Sequence, residues 1–297
     1  MDYENKIEFY KNRSFGERLS SAADFLRQNW KVFYKNLLIP AIPFILLLAY
    51  TLPEYVKWAQ IAMPLFLQGG DPSAVLAAGS FGLLFFPVMM CFSLYLFAMS
   101  GAIMKLYEEG GLTDKTSWND LSGRMFSNAG KIFLVGLAML LIVIVASLII
   151  GLLIGTVGAG LRILLVILLI FGLIAVWPPL YMIIFPTLFR GASVWKSIGD
   201  GLRVGFKNWG TTFGVLFIAE LIGAIVSYVF ILPVELWILF NPGQASVEMY
   251  VFAVLLSLAL VLIVPFVFVF LAFQYFAIAE KEEGISLQNK IDSFDNL

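Results

Sequence analysis

Charged residues punctuate this chain sparsely, and between them lie six long apolar runs. These are Leu37–Leu52, Phe81–Met104, the interval from Lys131 to Arg162, the interval from Arg162 to Arg190, Thr211–Pro233, and a run within Tyr250–Ala279. Crossing a hydrocarbon layer about 30 Å thick takes about 20 mainly apolar residues in an α-helix. The pattern therefore predicts an all-α integral membrane fold of six transmembrane helices in three hairpins. The links at the far ends of the hairpins are 53–80, 156–161 and 235–249. Gly155-Thr-Val-Gly-Ala-Gly160 reads as a tight turn in which glycine supplies positive φ, and Asn241-Pro242-Gly243 as the turn of the last hairpin.

The polar stretch ahead of each hairpin has a periodicity of its own. Leu19, Ala22, Leu26, Trp30 and Phe33 recur at helical offsets that Trp118, Leu121, Met125, Ala129 and Ile132 repeat, as do Trp195, Ile198, Leu202, Phe206 and Trp209. Charged residues such as Arg18, Lys31 and Lys35 take the opposite face. An apolar stripe backed by charge at a 3.6 period predicts an amphipathic helix. Three interfacial helices are expected on the cytoplasmic side, carrying Trp30, Trp118, Trp195 and Trp209. Ser14-x-x-Glu17 and Ser117-x-x-Asp120 read as capping-box starts for two of them. Asn29, Asn128 and Asn208 recur near matching positions, which suggests three repeat-like units, roughly 14–104, 114–189 and 193–279, within a single membrane domain 1–297 ending in a tail 280–297. The alternative is that any loop helix beside a bilayer becomes amphipathic.

Composition agrees with the membrane reading: 61% of residues are apolar and 13% charged, and the mean hydropathy is +0.92. Seventeen of the nineteen Lys and Arg fall on one side of the predicted topology, with Lys57 and Arg162 on the other. Lys and Arg prefer the cytoplasmic side, so both termini are expected in the cytoplasm of a bacterial cell, with the chain multi-pass in the inner membrane. Tyr50, Tyr55, Trp58, Trp237 and Tyr250 fit interfacial aromatic belts. The densely charged first 35 residues argue against a cleavable signal peptide. A net charge of −1 carries no basic signature, so nucleic acid is not expected as a partner. With no histidine and one cysteine, Cys91, the chain lacks the residues for a His-ligated metal, a Ser-His-Asp triad or an intrachain disulfide. No catalytic residue, cofactor or metal ligand is expected.

Glu220 is the one carboxylate inside a predicted span, and intramembrane ionisable groups are costly enough to be candidates for function. Ala219, Gly223 and Ser227 give its helix a small-residue face, and Gln274, Tyr181, Tyr275 and Ser93 are potential partners across helices. Three readings stay open for Glu220: a hydrogen-bonded structural group, an interfacial group if the span slips to Leu221–Phe240, or a proton- or substrate-coupling site with Tyr181 and Gln274. Prolines cluster in the second helix of each hairpin, at Pro87, at Pro178, Pro179 and Pro186, and at Pro265. Each removes a backbone donor whose carbonyl must find another partner in lipid. Such breaks serve packing or build transport sites, and Trp177-Pro178-Pro179-Leu180-Tyr181 is the segment of interest. Ser147, Gly151, Gly155 and Ala159 repeat every four residues, a pattern of close contact within the chain or between copies. Ser193-x-x-Lys196 reads as the start of the third interfacial helix.

Phe15-Gly16-Glu17, Ile184-Phe-Pro-Thr-Leu-Phe189, the segment from Ser197 to Trp209, and the ending Phe273-Gln-Tyr-Phe276 through Glu280-Lys-Glu-Glu-Gly284 carry a resemblance. The chain resembles a group of bacterial, Bacteroidota-like six-helix membrane proteins, related to the membrane domain fused to some glycerophosphodiester phosphodiesterases. The resemblance implies the six-helix fold and transfers no catalytic residue, since that group has no settled activity; without the soluble phosphodiesterase domain in this sequence, a hydrolase is not expected. Two functions are expected to compete. One is a non-enzymatic protein that organises lipids or partner proteins through its interfacial helices. The other is a transporter or lipid-handling protein with a mid-membrane site around Glu220.

Overall fold

The computed structural model of the chain describes residues 6–67, 82–240 and 245–285. Its elements are α1 (Phe15–Leu67), a 3₁₀ turn (Gly82–Leu84), α2 (Phe85–Glu108), α3 (Trp118–Thr156), α4 (Ala159–Met182), α5 (Ile184–Arg190), α6 (Val194–Lys207), α7 (Trp209–Phe240) and α8 (Ala245–Glu283). All are helical, and six are long and apolar enough to cross a membrane: α1, α2, α3, the α4–α5 segment, α7 and α8. The chain is thus a multi-pass membrane protein in contact with lipid, with the expected number of spans.

Two of the three expected interfacial helices are not separate elements. The first is the opening of α1, a single helix of 53 residues, and the second is the opening of α3. Nothing between Trp30 and Leu37 breaks the backbone, because Asn29 and Asn36 turn their amides onto Phe25 O and Val32 O, both at 2.9 Å, inside the helix itself. Only α6 stands alone. There Asn208 leaves helical geometry (φ −113°, ψ 29°), and α7 begins at the next residue. The far links also shrink. Pro53–Leu67 continues α1 and Glu235–Phe240 continues α7, while the Asn241-Pro242-Gly243 turn lies outside the described residues. The α3–α4 turn needs no positive φ: Val157 and Gly158 are both extended, at φ −101° and −66°.

At two of the prolines within helices, a side chain from another helix takes up the carbonyl that proline leaves free. Pro179 withholds the N–H that would reach Ala175 O, and the Trp209 indole donates to that oxygen at 2.7 Å. Pro40 does the same to Asn36 O, and the Tyr95 hydroxyl sits over the gap, 2.6 Å from Leu37 O and 3.3 Å from Asn36 O. Near Pro265, Tyr34 donates to Leu262 O at 3.1 Å. Pro87 and Pro186 fall in the first turns of α2 and α5, where the missing donor has no intrahelical acceptor anyway.

The core centres on α8, which packs against α1, α7 and α2; Phe268, Phe273, Tyr275 and Phe276 are each no more than 1% exposed. Lipid gives apolar helices no reason to leave it, so close packing must hold the bundle. Glycine supplies that at α6. A Cβ on Gly205 would lie 2.5 Å from Pro179 Cα, and one on Gly201 would overlap the Ile183 backbone. The buried side of α6 is therefore Ser197, Ile198, Gly201, Val204 and Gly205, which overlaps the expected interfacial stripe at Ile198 and leaves Trp195 and Phe206 exposed. Ser197 completes the corner, its hydroxyl donating to Ile183 O at 2.6 Å and accepting from Thr187 N at 3.0 Å. By contrast, open space surrounds Gly151 and Gly155, so these two glycines make no close contact among the described residues. Only 11% of the most apolar window of either middle span is buried, which leaves both facing lipid.

One end of the bundle collects the charges and both described chain ends. Residues 6–14 tuck under it, with Phe9 stacked on Phe276 at 4.8 Å and Lys6 donating to Glu108 O at 2.7 Å. Arg13 donates to Phe9 O at 2.9 Å and also reaches Glu8 O. Ion pairs Arg124–Glu109, Arg190–Glu283 and Lys207–Glu282 join the helix ends there, at 2.5 to 2.9 Å.

Candidate functional site

A groove of about 460 Å³ opens between α7, α8 and the α4–α5 bend, with Phe97 of α2 on its wall. That volume lies within the range of small-molecule sites, about 300–1,000 Å³. One face of α7 supplies the polar side: Glu220, Gly223, Ala224, Ser227, Tyr228, Ile231 and Glu235 all line it. Their spacing follows the helical period, so the face persists for about four turns, roughly 22 Å from Glu220 to Glu235. The other wall is apolar, built by Leu260, Ile263, Val264, Val267, Phe268 and Leu271 of α8.

Local sequence explains the shape. Gly223 lets α7 press on α8, since a Cβ there would stand 2.7 Å from Ile263 Cγ2. The absent side chains at Gly223 and Ala224 leave room beside that contact. On the opposite side, Pro178 and Pro179 loosen the end of α4, where Ile183 N bonds to Leu180 O in a tighter turn. The bend carries Tyr181 and Phe185 into the groove wall. Trp177 packs edge-on against Tyr181 with ring centres 5.7 Å apart, and Phe185 stacks on Tyr275 at 5.5 Å.

Of the expected site residues, the structure brings Glu220 and Tyr181 together and leaves Gln274 out. Glu220 lies within α7, which runs on to Phe240 and so contains both expected frames of the span, roughly 16 Å along the helix from Trp209. Among the described residues no hydrogen bond or salt bridge holds its carboxylate; Tyr181 is its electrostatic neighbour. Gln274 instead ties three helices, accepting from Arg18 Nη1 at 2.8 Å and donating to Thr211 Oγ1 at 3.0 Å and Thr212 Oγ1 at 3.2 Å. Tyr275 and Ser93 are likewise absent from the groove lining. Ser227 lines it, but its hydroxyl donates to Gly223 O at 3.0 Å and so is already engaged.

Glu235 and Tyr228 joined the site without having been expected there. Glu235 reads as a loop residue if the fifth span stops at Pro233, and only the continuation of α7 to Phe240 carries it onto the groove. The available signal was its position on the same helical face as Glu220. The tryptophans separate into two roles. Trp30 and Trp195 are 56% and 70% exposed, free to meet the interface, whereas Trp118 is half-buried and packs on Phe126. Trp209 is committed to Ala175 O and stacks on Phe213 at 5.1 Å.

Outside the groove, Glu109 has its pKa held below the usual carboxylate range by its hydrogen bond from Arg124. Burial raises that of the Tyr10 hydroxyl above the ordinary phenol range. Among the described residues, no three His, Cys, Asp or Glu side chains gather closely enough to hold a metal ion. The chain matches no family model, no curated protein and no solved structure. The resemblance to the membrane domain of glycerophosphodiester phosphodiesterases thus gains no support from the comparisons, and what the site does must be argued from its own geometry.

Proposed function

We propose that this chain is a non-enzymatic lipid-handling or transport protein that holds a small amphiphile in the groove beside Glu220. The observation that carries the reading is a carboxylate without a hydrogen-bond or ion-pair partner among the described residues, set within an apolar span on the wall of a ligand-sized groove. Ionisable groups at membrane depth are costly unless something uses or compensates them. A structural role, the first alternative for Glu220, would call for a donor on a neighbouring helix. The basic end faces the cytoplasm of a bacterial inner membrane in this reading, as the distribution of Lys and Arg supports.

The test is native mass spectrometry of protein extracted in a mild detergent, with identification of what remains bound. One stoichiometric, non-bulk lipid or small amphiphile, reduced in Glu220→Gln and in Ala224→Trp, is expected. Bulk lipid alone, unchanged in both variants, would remove the reading. A second reading, organisation of lipids or partner proteins at the charged end, draws on the exposure of Trp30, Trp195, Phe126 and Phe206 beside lysines. It predicts that Trp30→Ala with Trp195→Ala lowers lipid or partner association while leaving the groove ligand in place.

A further inference from the structure

Charge distribution along the groove narrows the class of ligand. We infer that the groove selects an amphiphilic organic cation, with an ammonium- or phosphonium-like centre held beside Glu220 and an apolar body lying on α8. This inference rests on the proposed function, that the groove takes a small amphiphile.

Four observations converge on it. The lining holds two carboxylates and two phenols, from Tyr181 and Tyr228, and no lysine or arginine. The chain's described cations lie mostly at the charged end, where Arg124, Arg190 and Lys207 already pair with Glu109, Glu283 and Glu282. An anion in the groove would therefore meet two like charges with no compensating cation on its walls. A cation would give the Glu220 carboxylate the partner that the described residues withhold, which matters most where the surroundings are apolar. Phenol rings add to this, since their faces attract cations, the more so when the cation is desolvated.

The apolar component is as definite as the polar one. Leu260, Ile263, Val264 and Val267 offer hydrocarbon along the whole α8 wall, a surface suited to alkyl or aryl groups and not to a hydrated inorganic ion. The two carboxylates also differ in position. Glu235 stands about four turns further along α7 than Glu220, toward the end of the helix at Phe240. A cation can thus be met first by Glu235 and settle at Glu220, moving along one face of α7.

The test compares two lipophilic ions of matched shape and opposite charge. Full-length protein in phosphatidylcholine nanodiscs is equilibrated with radiolabelled tetraphenylphosphonium or tetraphenylborate, and counts from empty nanodiscs are subtracted. Saturable binding of tetraphenylphosphonium is expected, with tetraphenylborate bound at least tenfold more weakly. Glu220→Gln should weaken tetraphenylphosphonium binding by tenfold or more, Glu235→Gln should slow or weaken it less, and Glu220→Asp should retain it. That last variant separates loss of charge from loss of fold. Equal binding of both ions, or cation binding unchanged in Glu220→Gln, overturns the inference while leaving the groove as an amphiphile site. If neither ion binds but native mass spectrometry finds a bound neutral or anionic lipid lost in Ala224→Trp, the inference fails and the proposed function stands. If nothing specific binds by either method, both fall.

Discussion

Removing the indole donor at residue 209 isolates one contact from the rest of the fold. Pro179 leaves Ala175 O without its helical partner, and Trp209 Nε1 lies 2.7 Å from it. In Trp209→Phe the ring remains to stack on Phe213, whereas the donor is lost. Polar contacts between membrane helices are worth on average about 0.6 kcal/mol and at most about 1.7 kcal/mol in double-mutant cycles. A freed carbonyl in an apolar setting belongs toward the upper part of that range, so a loss of about 1–1.5 kcal/mol is expected. The control is Pro179→Ala, which restores the backbone N–H that can reach Ala175 O from within α4. In that background Trp209→Phe should cost only what the smaller ring loses in packing, and the cycle should show a coupling of about 1 kcal/mol. The assay is reversible unfolding in mixed micelles of increasing sodium dodecyl sulfate, followed by circular dichroism for the four proteins. Equal costs of Trp209→Phe in both backgrounds would falsify the claim that the indole replaces the donor that proline removes.

Gly205→Ala should destabilise the chain by about 1–3 kcal/mol, because the new methyl group meets the Pro179 backbone, which has nowhere to move; a neutral outcome in the same unfolding assay would mean that α6 can slide away from α4. Gln274→Leu should cost about 1.5–3 kcal/mol, since it removes the acceptor of Arg18 Nη1 and the donor to Thr211 and Thr212, and Arg18→Met with Gln274→Leu together should recover part of that loss. Glu109 has a folded-state pKa below its unfolded value, so its contribution is present above ordinary glutamate pH, about 4.3, and disappears as the pH falls through the lower folded value. The pair with Arg124 is largely exposed, so the effect is small, and Glu109→Gln should flatten only the acid limb of melting temperature against pH; an unchanged acid limb would mean that the pair contributes nothing to stability.

The spans were legible because their signal is length and apolarity, and the bilayer sets both thresholds. Glu220 and Tyr181 were legible for a related reason: polar groups in apolar runs stand out, and the proline pair marks where Tyr181 would be turned. What escaped depended on distances between helices. The Gly201 and Gly205 contact has the same spacing as Gly151 and Gly155, yet one pair meets another backbone and the other faces open space. One chain cannot show which glycine has a neighbour. Gln274 and Glu220 both look like polar outliers, but Gln274 finds Arg18 some 256 residues away in sequence, a pairing that no local pattern announces. The interfacial stripes were legible only in part. Bulky residues at helical spacing mark a face that avoids water, and next to a bilayer that face can turn to lipid as readily as to protein; hence Trp30, Trp195 and Phe206 are exposed. Continuity of α1 from Phe15 was hidden because charge marks a boundary of solvent and not of backbone.

The central claim is that the groove beside Glu220 holds a particular molecule while the rest of the apolar surface meets bulk lipid. Photo-crosslinking tests this directly, with a benzophenone amino acid placed either at Ala224, on the groove wall, or at Leu152, 72% exposed on α3. After illumination in membranes, mass spectrometry of the adducts should find one dominant species at Ala224 and the ordinary lipid mixture at Leu152. The same mixture at both positions would contradict the account.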